Sequence, residues 1–556
     1  MIRLFEQHVI RKYKELDGMW DFIKEDDGKK YKLPVPGCWE QNPDMLNYRG
    51  IGTYSRKIKL SKDTNLRMVF QGVSHTGDVY FDNQFIAHHY NAFTPFDGIV
   101  KAAKKGEHEI KVVVNNTFGE HSSLHIPNDY YTYGGITRPV SIEEIPDTFI
   151  KQIHFTPSFL DGKWSAKIEV VVKNIGNISN HIVIGGSLAE VYLEEKTIQV
   201  SPEAEETLEW LQEFHDINIV PWSANNPKLY LLEMQLIQDG NLVDDLIERV
   251  GFRTVEMRGQ KLYLNGEKVF LKGFNRHEDY DIFGCAIPLQ LMAQDLDLMQ
   301  DMGANSVRTC HYPNDERFLD LCDERGILVW EENHARGLLL KDMQNPNFEK
   351  QCEDCIREMI ELHYNHPSII IWGILNECAS ETKEARLMYE KQYKQIKSMD
   401  QSRPTTSATC RHFTDICLDL PDIVSFNMYS GWYQDVPVVE RHEKEMEWIK
   451  NSGGEGKPVI VSEFGAGAIY GYRDRSRAKW SEERQADIIQ ENIEVYQSDD
   501  RLTGMYVWQF ADCRVTEEGG WFATRPRSHN NKGVVDEYRR PKMAYDVIKS
   551  LFESME

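Results

Sequence analysis

Asn365-His366-Pro367-Ser368-Ile369-Ile370-Ile371-Trp372-Gly373-Ile374-Leu375-Asn376-Glu377 decides the fold. Its middle is an almost unbroken apolar run rich in β-branched side chains, which predicts a strand buried on both faces. Asn376 and Glu377 stand where that strand should end. An unpaired carboxylate leaving a buried strand is costly. Glu377 therefore either caps a loop through a salt bridge or belongs to a catalytic rim, which in a closed parallel α/β barrel forms at the C-terminal strand ends.

Working outward, strand-like segments recur at 269–273, 306–310, 328–332, 405–409, 423–429, 459–464 and 505–510. Amphipathic segments at 288–302, 347–364, 384–399, 440–449 and 481–496 lie between them, and one at 542–552 closes the chain. With 369–377, eight strands alternate with helices, the count of a (β/α)8 barrel. An open doubly wound sheet is the alternative, but no Gly-x-Gly-x-x-Gly follows the first strand. The seventh strand, Pro458-Val459-Ile460-Val461-Ser462-Glu463-Phe464-Gly465, repeats the design of the fourth, an apolar run ending in a carboxylate. Two Glu residues at the ends of strands four and seven can face each other across the barrel mouth. Glycosidic cleavage needs such a pair, one protonated to release the leaving oxygen and one ionised to attack. Like charge and burial separate the two pKa values. Two structural carboxylates bound to neighbouring Arg side chains are the competing reading.

The first 145 residues lack helical periodicity and alternate short apolar runs with turns, Asp82-Asn83 being a hairpin tip. This predicts a jelly-roll β-sandwich over 1–145. Runs such as 167–172 and 229–236 predict an immunoglobulin-like sandwich over 146–255, with a turn at Asn225-Asn226-Pro227. The barrel then occupies 256–556.

Composition restricts the function. A formal charge of −24 over 556 residues argues against a nucleic-acid or anionic-membrane surface. No run of ~18 apolar residues predicts a membrane span, and residues 1–20 carry no apolar core of a secretory leader. The ten cysteines are scattered, which reads as reduced thiols in a cytoplasmic protein. The one CxxC, at Cys352 and Cys355, falls in a predicted helix without a second pair, so no metal is assigned to it.

Several of these stretches resemble glycoside hydrolase family 2. Asn305-Ser306-Val307-Arg308-Thr309-Cys310-His311-Tyr312-Pro313 resembles the family's first signature, continued by Phe318-Leu319, Asp323 and Gly326-Ile327-Leu328-Val329-Trp330. The stretch 365–377 resembles its acid-catalyst signature, and Gly273-Phe274-Asn275-Arg276-His277-Glu278 its first barrel strand. The order jelly roll, immunoglobulin-like domain, barrel agrees, so the resemblance spans the chain. It implies a retaining double displacement with Glu377 as general acid/base and Glu463 as nucleophile. Asn376 would bond the sugar 2-hydroxyl, Tyr429 would hold the nucleophile, and His277 and Trp508 would contact sugar, with Trp508 as an apolar platform. Arg308 and His311 would orient the carboxylates. Cys378 departs from the family's Pro after the acid, which is expected to alter the local turn only.

Sugar choice rests on Ser528-His529-Asn530-Asn531-Lys532-Gly533. It resembles the Asn-x-Lys-Gly pattern with which the family's β-glucuronidases hold a C6 carboxylate, and an ammonium and an amide N–H can both donate to that anion. Tyr433, in Asn427-Met428-Tyr429-Ser430-Gly431-Trp432-Tyr433, is a further carboxylate contact by the same resemblance. Asp129, in a jelly-roll loop at 128–139, is either a ligand of sugar hydroxyls or a structural turn. The expected activity is release of terminal β-D-glucuronic acid from small conjugates or oligosaccharides. A β-galacturonidase or dual uronidase is the near alternative, since the sugars differ only at C4 and no residue is seen to read it. A β-galactosidase, metal-dependent or not, and a carbohydrate-binding protein on an inactive barrel are the further ones. The short connection after the third strand, 333–345, resembles forms without an active-site lid, open to larger aglycones. No cofactor or metal is indicated; a flavin at a subunit interface, known in some members, is left open. Resemblance also implies a homo-oligomer, dimer or tetramer.

Overall fold

The computed structural model describes residues 2–215, 218–517 and 520–555. Its first layer pair is a sandwich. A six-stranded antiparallel sheet in the order Lys30–Val35, Gly18–Lys24, Ile51–Leu60, Gly106–Asn115, Thr76–Phe81, Gln84–Tyr90 accompanies a four-stranded sheet of Lys12–Glu15, Val140–Ile145, Thr64–Phe70 and Phe96–Ala103. Alternate side chains point inward, so Trp20, Phe22, Tyr54, Met68, Phe70, Val79 and Val112 form one core. Asp82 and Asn83 take positive φ (48° and 66°) between paired strands, the conformation a two-residue hairpin needs.

A second sandwich follows. Thr148–Leu160, Lys163–Asn174 and Glu205–Phe214 form one sheet, and Val191–Val200, Asn180–Leu188, Tyr230–Gln238 and Asn241–Val250 the other. A three-stranded meander over 255–269 then places Leu262 and Leu264 in one cluster with Leu271, Leu328, Ile370, Ile423 and Ile460. Those residues start the barrel strands, so the meander closes the barrel at the end opposite the carboxylates.

The closed barrel has eight parallel strands: β1 Leu271–Asn275, β2 Ser306–Thr309, β3 Leu328–Glu332, β4 Ile369–Asn376, β5 Thr405–Thr409, β6 Val424–Asn427, β7 Val459–Phe464 and β8 Leu502–Val507. All eight residues of β4 are buried, as its apolar run predicts. The last strand begins three residues earlier than expected, because Leu502-Thr503-Gly504 reads as a turn in isolation. Helix Glu316–Arg325, not anticipated from sequence, follows β2. A helix follows every barrel strand except β5, where a loop of 410–423 runs directly to β6.

Register breaks fall near the ends that matter. They lie between Gly373 and Asn376 of β4, between Phe426 and Asn427 of β6, and between Val461 and Phe464 of β7. Such irregularities re-aim side chains at barrel rims. Glu377 then leaves β4 with a left-handed backbone, φ 53°, a conformation costing roughly 1–2 kcal/mol for a residue with a Cβ. The cost is incurred where the chain turns its carboxylate into the mouth.

All ten cysteines are free, Cys352 and Cys355 being buried on helix Phe348–His363. Among the described residues no helix is long and apolar enough to cross a membrane.

Candidate active site

A cavity of about 330 Å³ opens at the C-terminal strand ends. Glu377 and Glu463 line it, with Asp129, Tyr429, Tyr433, Trp508 and Lys532 from the sequence-derived set. Asn376, His277 and Asn530 do not line it; they stand behind it, each buried.

One guanidinium organises the carboxylates. Arg308, fully buried on β2, donates from Nη1 to Glu463 Oε1 at 2.9 Å and from Nη2 to Asn376 Oδ1 at 2.9 Å. Its Nε and Nη2 also bind Glu332 at 2.9 Å each, so the planar fork is locked by a second carboxylate. Asn427 Nδ2 donates to Glu377 Oε1 at 3.0 Å and to Asn376 Oδ1 at 3.2 Å. The Asn376 oxygen is thus occupied twice, while its Nδ2 has no hydrogen-bond partner among the described residues. That amide keeps an unused donor.

Tyr429 donates to Glu463 Oε2 at 2.6 Å. Burial, then the charges of Glu463 and Glu377, push its hydroxyl well above the ordinary phenol range, so it keeps the proton it donates. Burial, then the like charge of Glu377, pushes Glu463 up to about 7, against the opposing pull of Arg308 and Tyr429. Near neutrality Glu463 is therefore poised between its protonated and ionised forms.

The other wall is built from loops. Asp129, 2% exposed, arrives from the jelly-roll domain. It faces Arg336 Nη2 at 3.3 Å, Arg525 Nη2 at 3.2 Å and Asn530 Nδ2 at 3.1 Å. Burial raises its pKa, but Arg336, Arg525 and Lys532 outweigh that and hold it at about 2. Arg336 Nη2 also reaches Glu377 Oε2 at 3.3 Å. Arg336 and Arg525 were missed in the sequence, where loop arginines read as solvated; the nearness of Arg525 to Lys532 was the one available signal. The short connection after β3 carries Arg336 into the site.

Lys532 differs from both arginines. It is 1% exposed, and its Nζ donates to the Tyr433 hydroxyl at 2.8 Å. Among the described residues no carboxylate lies within 4.0 Å of it, whereas Arg336 and Arg525 each have one. Burial, then the Arg525 charge, pulls its pKa well below the usual lysine range. Trp508 lines the cavity and stacks on His311 (centroids 5.1 Å apart, planes 17° apart), with His277 edge-on at 5.4 Å.

Of the two groups with metal-ligand spacing, Asp320, Asp323 and His366 are engaged in ion pairs, although His366 Nε2 has no hydrogen-bond partner among the described residues. Asp320 pairs with Arg3 at 2.8 Å and Asp323 with His366 at 2.6 Å.

Comparison with known proteins agrees with this geometry. Residues 255–556 match the TIM barrel domain of glycosyl hydrolases family 2, residues 148–253 a further domain of that family, and residues 29–146 its sugar binding domain. The chain belongs to glycoside hydrolase family 2. It is a glycoside hydrolase built from the expected three folds in the expected order. A β-glucuronidase of Streptococcus agalactiae is 28% identical over 96% of this chain and 95% of its own length. A family 2 β-galacturonidase of Eisenbergiella tayi, solved with galacturonate, is 48% identical with a TM-score of 0.96, covering 100% of this chain and 99% of that one. A β-D-glucuronidase of Dictyoglomus thermophilum is 26% identical with a TM-score of 0.86, covering 100% and 98%. Cys378, after Glu377, is buried, with Sγ 3.5 Å from the Asn376 carbonyl.

Proposed function

We propose that this hydrolase is a retaining β-D-hexuronidase that removes terminal β-galacturonic or β-glucuronic acid, with the galacturonide preferred. The observation that carries the uronide reading is the buried amino group of Lys532, without a carboxylate partner and therefore pulled toward its neutral form until an anion binds. A buried charge is expensive unless paired, and the C6 carboxylate of a uronic acid is the missing partner. Tyr433, whose hydroxyl accepts from both Lys532 and Arg525, holds Lys532 at one edge of the cavity, and Asn530 stands beside Asp129. A neutral galactoside has nothing to offer that ammonium. The greater likeness to the galacturonidase, 48% against 28% for the Streptococcus glucuronidase, favours the galacto epimer over the gluco one.

In the first step Glu463 attacks the anomeric carbon with a carboxylate oxygen while the bond to the leaving oxygen breaks and Glu377 gives that oxygen its proton. Arg308 and Tyr429 keep Glu463 oriented and favour its ionised form. Asn376 Nδ2 donates to the sugar 2-hydroxyl as positive charge grows on the ring. In the second step Glu377 takes a proton from water, whose oxygen displaces Glu463 and restores the β configuration. Asp129, set by Arg336 and Arg525, accepts from sugar hydroxyls, and Trp508 and His277 back the sugar face.

The test is kcat/KM on 4-nitrophenyl β-D-galacturonide, β-D-glucuronide and β-D-galactoside. The uronides should exceed the galactoside by at least about 100-fold, the difference of about 3 kcal/mol that a buried charge pair supplies. A galactoside turned over as well as either uronide refutes the reading.

A further inference from the structure

Behind the Trp508 ring, His277, Cys310 and His311 bring one ring nitrogen each and a thiol sulfur within 4.8 Å of one another. They are 5%, 0% and 1% exposed. The hydrogen bonds around the two rings leave the same atom free on each. His277 Nδ1 meets the Tyr312 hydroxyl at 3.1 Å, and His311 Nδ1 meets Glu332 Oε1 at 2.8 Å. Nε2 of both rings has no hydrogen-bond partner among the described residues. An imidazole held through one nitrogen by a carboxylate or hydroxyl, with the other nitrogen free, is how proteins orient metal-binding histidines. Donation from Nδ1 to Glu332 leaves the His311 lone pair on Nε2. Tyr312 can donate or accept, so His277 can present the same tautomer.

We propose that His277 Nε2, His311 Nε2 and Cys310 Sγ form a binding site for a divalent cation of the zinc class, and that its occupation switches the hydrolase off. Two imidazoles and one thiolate select a borderline-soft ion over magnesium or calcium, which take oxygen ligands. The fourth position lies toward Glu463, whose Oε1 is 3.9 Å from His311 Nε2. A cation there engages the electron pair that Glu463 needs for attack, and it takes the two ring nitrogens nearest the sugar. The Arg308 guanidinium, 3.4 Å from His311 Nδ1, opposes a cation, while Glu332 and Glu463 offset it, joined by the Cys310 sulfur once the buried thiol has lost its proton on binding the ion. Binding forms the metal–sulfur bond as the Cys310 thiol releases its proton to solvent, so affinity rises with pH.

The experiment uses the full chain, freed of metal by chelator, titrated with Co²⁺ and then Zn²⁺. One Co²⁺ per chain should give a thiolate-to-cobalt charge-transfer absorption that Zn²⁺ displaces. Zn²⁺ should inhibit competitively with the glycoside. Cys310→Ser and Cys310→Ala should lose the absorption and need at least tenfold more Zn²⁺ for half-inhibition, with turnover in chelator within about threefold of wild type. Should both variants misfold, the wild type still decides: saturating galacturonate or glucuronate, whichever inhibits turnover, should abolish the cobalt absorption. Absorption that survives either the sugar or the substitutions, or the lack of any stoichiometric cobalt, overturns the proposal. None of these cobalt readouts depends on which uronide is the substrate.

Discussion

Replacing Lys532 with Met removes the ammonium while keeping most of the side-chain volume. In the free protein that ammonium is 1% exposed, donates to Tyr433 at 2.8 Å and has no carboxylate within 4.0 Å among the described residues. In the uronide complex it gains a charge-assisted hydrogen bond in a desolvated site. Such a bond contributes about 1.5–3 kcal/mol, and leaving one member of a buried pair alone costs about 3–5 kcal/mol. Arg525 remains nearby and limits the loss, so about 2–4 kcal/mol is expected, or about 30- to 1000-fold in kcat/KM at 1.36 kcal/mol per tenfold. The substrates are the aryl β-galacturonide, β-glucuronide and β-galactoside. Both uronides should lose by that factor, while the galactoside changes by less than about threefold. The variant should also melt no lower than wild type, since the substitution removes a buried amino group that lacks a charged partner. Equal losses on uronide and galactoside would refute the assignment of Lys532 to the C6 carboxylate.

Glu377→Gln should slow aryl uronides with acidic phenol leaving groups far less than alkyl uronides, by at least about 100-fold in the ratio, because only the poor leaving group needs the proton; equal slowing contradicts its role as acid. The pH profile of kcat/KM should climb as pH rises through about 7. Burial and Glu377 raise Glu463 to about 7, so the attacking carboxylate is protonated below that pH and ionised above it; a flat profile from pH 5 to 8 contradicts this. Acid should also destabilise the fold through His75, His125 and His334, which pack together between the jelly roll and the barrel. Burial holds all three well below the usual histidine range, His334 at about 3, so they are neutral when folded and protonate at about 6.5 when unfolded. Their stabilisation is present above about 6.5 and fades as pH falls, by about 2 kcal/mol per histidine at pH 5. Melting at pH 5 and 7.5 should show the drop and His334→Phe should shrink it; an unchanged drop sinks the explanation.

Much of this architecture was legible because its code is local. The runs 369–376 and 459–464 are apolar on both faces, which only a buried parallel strand needs, and each ends in a carboxylate. What escaped notice depends on partners distant in the chain. Helix Glu316–Arg325 is rich in charge, yet Asp320 is buried against Arg3 and Asp323 against His366. The resemblance pointed to Asn530 and Lys532, but their settings differ in a way no pattern carries. Asn530 is engaged with Asp129 behind the cavity, and Lys532 lines it. Arg336 and Arg525 acquire meaning only through burial beside Asp129, a residue contributed by another domain.

The central claim is a two-carboxylate retaining site that demands an anionic sugar. It is tested most directly by mass spectrometry after incubation with 2-deoxy-2-fluoro-β-D-galacturonosyl fluoride, alongside the matching neutral galactosyl fluoride. The fluorine at C2 slows both steps, while fluoride leaves without a proton, so the glycosyl-enzyme should accumulate. The account predicts one uronosyl group per chain, on the peptide containing Glu463, and no labelling by the neutral sugar. Label on Glu377, or equal labelling by the galactosyl compound, would contradict it.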